Sequence, residues 1–510
     1  MPTAKVANRH FSGDSIDSVE RISILDRATL LLLGLALIIF AVWAGDRVGW
    51  EGDDLSVMFG IAHLEALGRE NVYRYAWQPW TYEILHALRL TGFRFLDVTY
   101  IANVAGMLGV TLFISLLRTS IGKCVPHPLL LSVLLALAVP ELWLTTLYFN
   151  STALALPFFI VALTFAQHAH ANPNVLSAAI ASGWFFGVSC LLRMDFALAG
   201  PFLLVMISTG SLRRHLAWLV AAMSMPFLLI ITQAEWLSQL FKIGNNYETG
   251  QLPWGAFNSV KVVLLTIGPA LFVIPILLLR SVRWREVLQE IPLQRVAQLG
   301  CLLPMMLPLK NLYSGKYLVP FVCCAIWLMA QHIGRLGRSK MLPYRWRGRL
   351  IIATMVLSLS FLTTLIPPHL AWFVTHDGLR SFGGYRHLIS KIRSTSDRQS
   401  FINAPVELAH LIENCPSIST VILPKLPDKF LNDAWNFGWT PLHLLSRGWR
   451  LTHYESVSEA KLLSPNGNRI VRIVSAQRFE SSSDAGELLL DLRVLSPQRK
   501  IQMSANASCG

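Results

Sequence analysis

Long apolar runs recur along the first 372 residues, each bounded by a short polar stretch. A helix crossing a bilayer needs roughly 17–25 apolar residues, so a chain that repeats such runs is committed to folding in lipid. The runs lie near 27–45, 98–117, 127–147, 151–167, 174–192, 196–210, 216–234, 259–280, 296–310, 317–333 and 349–372, which gives about eleven spans. The pair 174–192 and 196–210 is divided only by Arg193-Met194-Asp195. Residues 1–26 are polar and carry both charge signs. Val42-Trp43-Ala44 after the first run could pass for a cleavage site. The segment ahead of that run is too long and acidic for a signal peptide, so the first span is expected to stay.

Composition agrees. Of 510 residues 53% are hydrophobic and 15% charged, with mean hydropathy +0.47, against about 25% charged in ordinary globular chains. A net charge of +14 would suit nucleic acid if it formed a stripe on a soluble module. Instead the excess sits in short loops between apolar runs, where membrane proteins concentrate Lys and Arg, so no nucleic-acid partner is expected. With the N-terminus inside, the inner loops hold Arg118 and Lys123, Arg213 and Arg214, Arg280 to Arg295, and Arg335 to Arg349. The outer loops hold little beyond Arg193, Lys242, Lys310 and Lys316. An odd number of spans then puts both the first loop, 46–97, and the tail, 373–510, outside the cytoplasm. Cys190, Cys301, Cys323 and Cys324 fall in apolar runs and read as small hydrophobes. Cys415 and Cys509 lie in the tail and could pair if it faces an oxidising compartment.

The first outer loop carries Gly52-Asp53-Asp54 directly after the first span, with Tyr73, Tyr75, Trp77, Trp80 and Tyr82 further on. From Asp54 to Leu67 the apolar residues Leu55, Met58, Phe59, Ala62 and Ala66 make a helical stripe, with Gly68 as its cap. A second helix is expected from Pro79 to Leu90, with Trp80, Ile84, Leu85 and Leu88 on one side. Two amphipathic helices on the membrane surface would hold the carboxylate pair at the end of the first span. Either Asp53 or Asp54 could simply cap the first helix, and one could cap while the other works. The aromatics suit an interfacial belt.

The tail is different in kind. A polar helical stretch from Pro405 to Asn414 alternates with short β-rich runs, Thr420 to Leu423 and Ile470 to Val474, which suits a small α/β domain with a frayed end after about Glu480. No nucleophile elbow, phosphate loop or metal-ligand spacing is present in it, and no repeat occurs anywhere in the chain.

One span, then Gly52-Asp53-Asp54, then an amphipathic helix leading through a glycine turn to Tyr73-Arg74-Tyr75, resembles the GT-C superfamily of integral-membrane glycosyltransferases. That superfamily includes the protein O-mannosyltransferases and the lipid A aminoarabinose transferases. Three further segments are similar: Pro140-Glu141-Leu142-Trp143 through Asn150-Ser151, Leu192 through Asp195, and Lys310 through Pro320. In the last of these Lys316 stands where arginine is commoner. The resemblance spans about the first 370 residues and does not extend to the tail. It implies an all-α polytopic membrane protein, to which the reading of the tail's own residues adds a small extracytoplasmic α/β domain. The activity it implies is transfer of a sugar from a polyprenyl-phosphate donor to a glycan, lipid or protein acceptor. The implied location is the outer face of a bacterial inner (plasma) membrane.

The residues fit that chemistry in their own right. Transfer needs an acceptor hydroxyl deprotonated and a departing phosphate stabilised. Asp53 is the expected general base, with Asp54 orienting it, holding acceptor, or capping. Arg193, Lys310 and Lys316 are cations at outer span ends that could hold the lipid phosphate, or could snorkel to headgroups. Arg193 has Asp195 as a possible partner. Tyr75 and Tyr317 are expected in the same cavity, and Glu141 is expected to bind acceptor or a divalent cation, so metal dependence stays open. A transporter would show mid-span breaks and paired halves. A polysaccharide ligase or polymerase would place its large outer segment between late spans. A non-enzymatic scaffold presenting the tail is the remaining alternative.

Overall fold

The computed structural model describes residues 24–48, 79–93, 95–125, 127–137, 151–172, 174–207, 212–232, 293–305 and 318–338, together with Val139, Leu142 and Thr146. In the tail it describes 409–423, 441–455, 459–475 and 488–489 apart from a few positions. The helices are α1 (Ile24–Val48), α2 (Pro79–Leu90), α3 (Phe95–Ile121), α4 (Pro128–Leu137), α5 (Ser151–Ala171), α6 (Leu176–Leu192), α7 (Gly200–Ile207), α8 (Leu212–Thr232), α9 (Leu293–Gly300) and α10 (Val319–Arg338). A 3-10 turn, Met194–Ala199, joins α6 to α7.

Among the described residues three segments are long and apolar enough to cross a membrane by length and composition: Ile101–Ile121, Ser151–Ala171 and Val319–Gly337. Pro128–Leu137, Leu176–Leu192 and Met194–Ile207 are shorter apolar helices. Three of the expected spans differ in form. The run at 127–147 is continuous helix only as far as Leu137, the run at 196–210 is a 3-10 turn followed by an eight-residue helix, and in the run at 296–310 the helix ends at Gly300 and turns over 301–303. The expected spans at 259–280 and 349–372, and the expected helix from Asp54 to Leu67, lie outside the described residues.

Helix α3 is central, packing against α1, α4, α5 and α10, while α6 fills the space between α5 and α8. Lipid offers no hydrophobic drive between helices, so close approach depends on small residues. A Cβ on Gly106 would come within 2.8 Å of Thr146, and one on Gly109 within 2.8 Å of Leu156. Gly183 and Gly187, one turn apart on α6, lie against the backbone of α8 at Trp218 and Ala222. The pairs Gly106/Ala153, Gly109/Leu156 and Ser120/Gln167 share an offset of 47, so α3 and α5 run in the same direction.

The two ends of the bundle differ. At one, Arg118 of α3 pairs with Asp26 of α1 at 2.6 Å, and Arg214 of α8 donates to the Ala169 carbonyl at the end of α5. At the other lie α2 and Arg193. The basic residues Arg118 and Arg214, expected inside, thus share an end opposite Arg193. On the perimeter, α1 exposes Leu31, Leu32, Leu35 and Ile39, and α8 exposes Leu216, Leu219, Val220, Met223 and Phe227. Both are one-sided stripes at helical spacing, the face a lipid-contacting helix presents.

The tail forms a five-stranded mixed sheet: β1 (Thr420–Leu423), β2 (Arg450–Glu455), β3 (Glu459–Leu463), β4 (Ile470–Ser475) and β5 (Leu488–Leu489), in the order β2-β3-β4-β1-β5. Strands β2 to β4 form an antiparallel meander, and β1 lies parallel to both β4 and β5. Both expected strands are present. The expected fraying after Glu480 is corrected: Leu488 and Leu489 pair with Val421 and Ile422. Leu490, Leu492 and Val494 follow in an apolar-rich stretch, and the pairing that makes the strand is long-range. Helical residues 409–410 and 412–414 fall within the expected Pro405 to Asn414 helix. The Arg469 guanidinium holds them to the sheet by donating to the carbonyls of Ile412 (2.7 Å), Cys415 (2.7 Å) and Ile418. Cys415 is in a disulfide, while Cys509 lies outside the described residues. Cys190, Cys323 and Cys324 are buried free thiols, as small hydrophobes should be, and Cys301 is half-buried and free.

Candidate active site at the Arg193 end

Helix α6 stops because Arg193 leaves helical geometry, with φ −156° and ψ 110°. Its N–H still bonds the Ser189 carbonyl at 2.9 Å, and the Phe196 N–H returns to the Arg193 carbonyl at 3.2 Å, folding the chain into the 3-10 turn. The side chain closes the same turn. Arg193 Nε donates to both carboxylate oxygens of Asp195, at 2.8 and 3.1 Å, and one Nη donates to Ser151 Oγ at 3.1 Å. Arg193 is 2% exposed, so its charge is taken out of solvent and balanced by Asp195. Ser151 opens α5, so a single guanidinium ties three elements at one end of the bundle.

Helix α2 reaches the same point. Thr81, in the first turn of α2, is fully buried and donates to the Leu192 carbonyl at 2.9 Å. That carbonyl is one of the last four of α6, which the helix itself leaves unpaired. The buried face of α2 runs through Thr81 and Leu85 with Leu88 partly covered, while Ile84 is 40% exposed. The expected apolar side is thus divided, with Leu85 taken into the bundle and Ile84 left on the surface. Thr81 joins the buried part because it has a carbonyl to satisfy. The expected bounds of α2, Pro79 to Leu90, are the observed ones. Gly92 at φ +100° follows, with the Thr91 N–H closing onto Ala87 and Leu88.

Of the expected site residues, Arg193 is described. Asp53, Asp54, Tyr75, Glu141, Lys310, Lys316 and Tyr317 lie outside the described residues. Chain segments next to three of them are described, and α2 and the start of α10 lie at this end. Helix α2 starts four residues after Tyr75, and Leu142, beside Glu141, is fully buried. Helix α10 starts two residues after Tyr317. It packs on the 3-10 turn, with Trp327 edge-on to Phe202 at 5.9 Å and its later Gly334 against the Ser120 carbonyl. Ser120 belongs to the Arg118 end, so the start of α10 belongs to the Arg193 end. Among the described residues no three His, Cys, Asp or Glu side chains gather as a cation set. Thr81 was not anticipated from the sequence, and its signal was only a hydroxyl on the apolar side of an amphipathic helix.

No family model matches the chain, and no curated protein matches it. Solved structures do. The chain is similar to ArnT from Cupriavidus metallidurans in the apo state, at 14% identity and a TM-score of 0.48, covering 83% of this chain and 85% of that one. It is likewise similar to ArnT from Cupriavidus metallidurans bound to undecaprenyl phosphate, at 14% identity and a TM-score of 0.46, covering 82% and 85%. Likeness at this level assigns neither residues nor substrate.

Proposed function

We propose that this chain is an integral-membrane glycosyltransferase that moves a sugar from a polyprenyl-phosphate donor to a cell-envelope glycan, lipid or protein. The observation that carries the reading is the docking of α2, the second half of the loop bearing Gly52-Asp53-Asp54, beside the buried Arg193–Asp195 pair. Charged groups held at a span end in a membrane bundle mark a substrate site more often than a packing accident.

In the proposed reaction, Asp53 takes the proton of the acceptor hydroxyl as that oxygen bonds the anomeric carbon. The bond from that carbon to the donor phosphate oxygen breaks, and the lipid phosphate leaves with the electron pair. Displacement at one carbon inverts the anomeric configuration. Lys310 and Lys316 hold the phosphate by charge-assisted bonds, with Arg193 as an oriented donor whose own charge Asp195 balances. Asp54 orients Asp53 or holds acceptor; Tyr75, Glu141 and Tyr317 bind acceptor and sugar. The site faces outward from a bacterial inner membrane, and residues 373–510 form an extracytoplasmic domain behind the bundle, 27–372.

Undecaprenyl phosphate, the lipid in the second ArnT structure, is the donor carrier to test. Asp53→Asn should lower transfer about a hundredfold to ten-thousandfold while donor binding survives, because the amide keeps the shape but takes no proton. Lys316→Ala should instead weaken donor binding, since its contact already exists in the ground state. Near-normal turnover by Asp53→Asn, or a product of retained configuration, would sink this mechanism. A scaffold would keep its function in Asp53→Ala. Mass spectrometry of envelope glycolipids and glycans with and without the protein identifies the sugar and the acceptor.

A further inference from the structure

Two buried polar groups near Arg193 take no part in the reading above. Asn103 on α3 is 4% exposed and Thr152 on α5 is fully buried, and among the described residues neither Asn103 Oδ1 nor Thr152 Oγ1 has a hydrogen-bond partner. Among the other polar side chains of the bundle, buried Ser182 reaches the Ala162 carbonyl, buried Ser189 the Phe186 carbonyl, and half-buried Gln167 accepts from both Ser120 and Trp327. Leaving a buried donor or acceptor unmade costs about 1–3 kcal/mol, so two at one place call for an occupant.

They stand at one level. With α3 and α5 parallel at an offset of 47, Thr152 stands at the level of Ala105, two residues after Asn103. The two are thus about 3 Å apart along the helix axes. Asn103 is one turn before Gly106, where an added Cβ would meet Thr146 and Ala153, the residue after Thr152. Ser151, the residue before Thr152, receives Arg193. Both residues lie at the Arg193 edge of their membrane segments, Ile101–Ile121 and Ser151–Ala171.

We propose that Asn103 and Thr152 line a hydroxyl-binding subsite between α3 and α5 that takes the sugar of the lipid-linked donor. The amide oxygen accepts from one sugar hydroxyl, and the threonine hydroxyl donates to or accepts from another. The subsite rests on the donor class proposed above and adds where the sugar is read.

The test measures binding to the full-length protein in lipid nanodiscs. The probes are undecaprenyl phosphate and the same lipid carrying a pentose, a hexose or an N-acetylhexosamine. Wild type should prefer at least one glycosylated lipid over the bare one. Asn103→Leu and Thr152→Val should each erode that preference about threefold to tenfold, the worth of one hydrogen bond, with bare-lipid binding unchanged. Thr152→Ser should keep it. Both apolar variants should melt at or above wild type, having lost an unpaired group. If Asn103→Leu melts lower, Thr152→Val decides alone. A preference retained in Thr152→Val means the groups hold only water, and the subsite is wrong while the function stands. No sugar preference in wild type also overturns the subsite. A wild type that binds none of the lipids removes the donor class and the subsite together.

Discussion

Arg193 shows how far a single side chain in this bundle is committed. Its guanidinium is balanced by Asp195 and anchored by Ser151, with side-chain exposures of 3% for Arg193 and 13% for Asp195. Removing one member of a buried pair strands the other charge, which typically costs about 3–5 kcal/mol. Arg193→Ala should therefore lower the melting temperature of the purified protein sharply. Replacing both partners, Arg193→Met with Asp195→Leu, should recover much of the loss, because no unpaired charge remains. A double variant no more stable than Arg193→Ala would mean that the bond to Ser151, not the charge balance, holds the turn. In the tail, Glu459 is desolvated, which raises its pKa, but the Arg472 hydrogen bond and charge, with Lys461, bring it below the usual glutamate value. A carboxyl depressed on folding adds stability that is complete above its unfolded pKa and fades as pH falls through the folded one. The stability difference between wild type and Glu459→Gln should be full near neutral pH. It should shrink as pH drops below about 4.3, as thermal melts across pH would report.

Between elements, glycine contacts decide which helices touch. Gly187 lies 2.5 Å, measured from an added Cβ, from the Ala222 carbonyl of α8, and Gly183 is equally crowded by Trp218. Any larger residue must push α6 and α8 apart, and overpacking of this kind costs about 1–3 kcal/mol. Gly187→Leu should lower thermal stability by that amount. Gly300→Ala, whose methyl would meet nothing within 4 Å, should stay within about 0.5 kcal/mol of wild type. Equal effects from the two would show that the α6–α8 contact is looser than it looks. The bond from Thr81 to Leu192 belongs to the same scale, since it fixes α2 to the end of α6.

For the whole molecule, the question is which side of the membrane each end faces. The bundle places Arg118, Asp26 and Arg214 at one end and Arg193 at the other. Basic loops on the cytoplasmic side would put the Arg193 end outside. The Cys415 disulfide suits an oxidising compartment for the tail, since such bonds rarely persist in the cytosol. A reporter active only in the cytoplasm, fused after Arg380, should be silent, and Cys415 should resist alkylation in intact cells until a reductant is added. A bright reporter would refute this topology, and would take Asp53 off the outer face if the miscounted span lay before it.

Sequence alone determined what depends on local pattern. Run length and apolar content located α1, α3, α5, α6, α8 and α10; a proline and an apolar side placed α2; β-rich runs placed β1 and β4. The Arg193 break was also legible, because two charges cannot sit inside a continuous apolar helix without partners. What only the tertiary structure decided were partnerships across long separations. Thr81 meets Leu192 over 111 positions, Ser151 meets Arg193 over 42, and β5 returns to β1. Nothing local distinguishes Thr81 from any other threonine on an amphipathic helix, or tells which strand Leu488-Leu489 pairs with. Such contacts exist because packed helices and paired strands leave particular carbonyls and edges to be satisfied, and those are known only once the chain has folded.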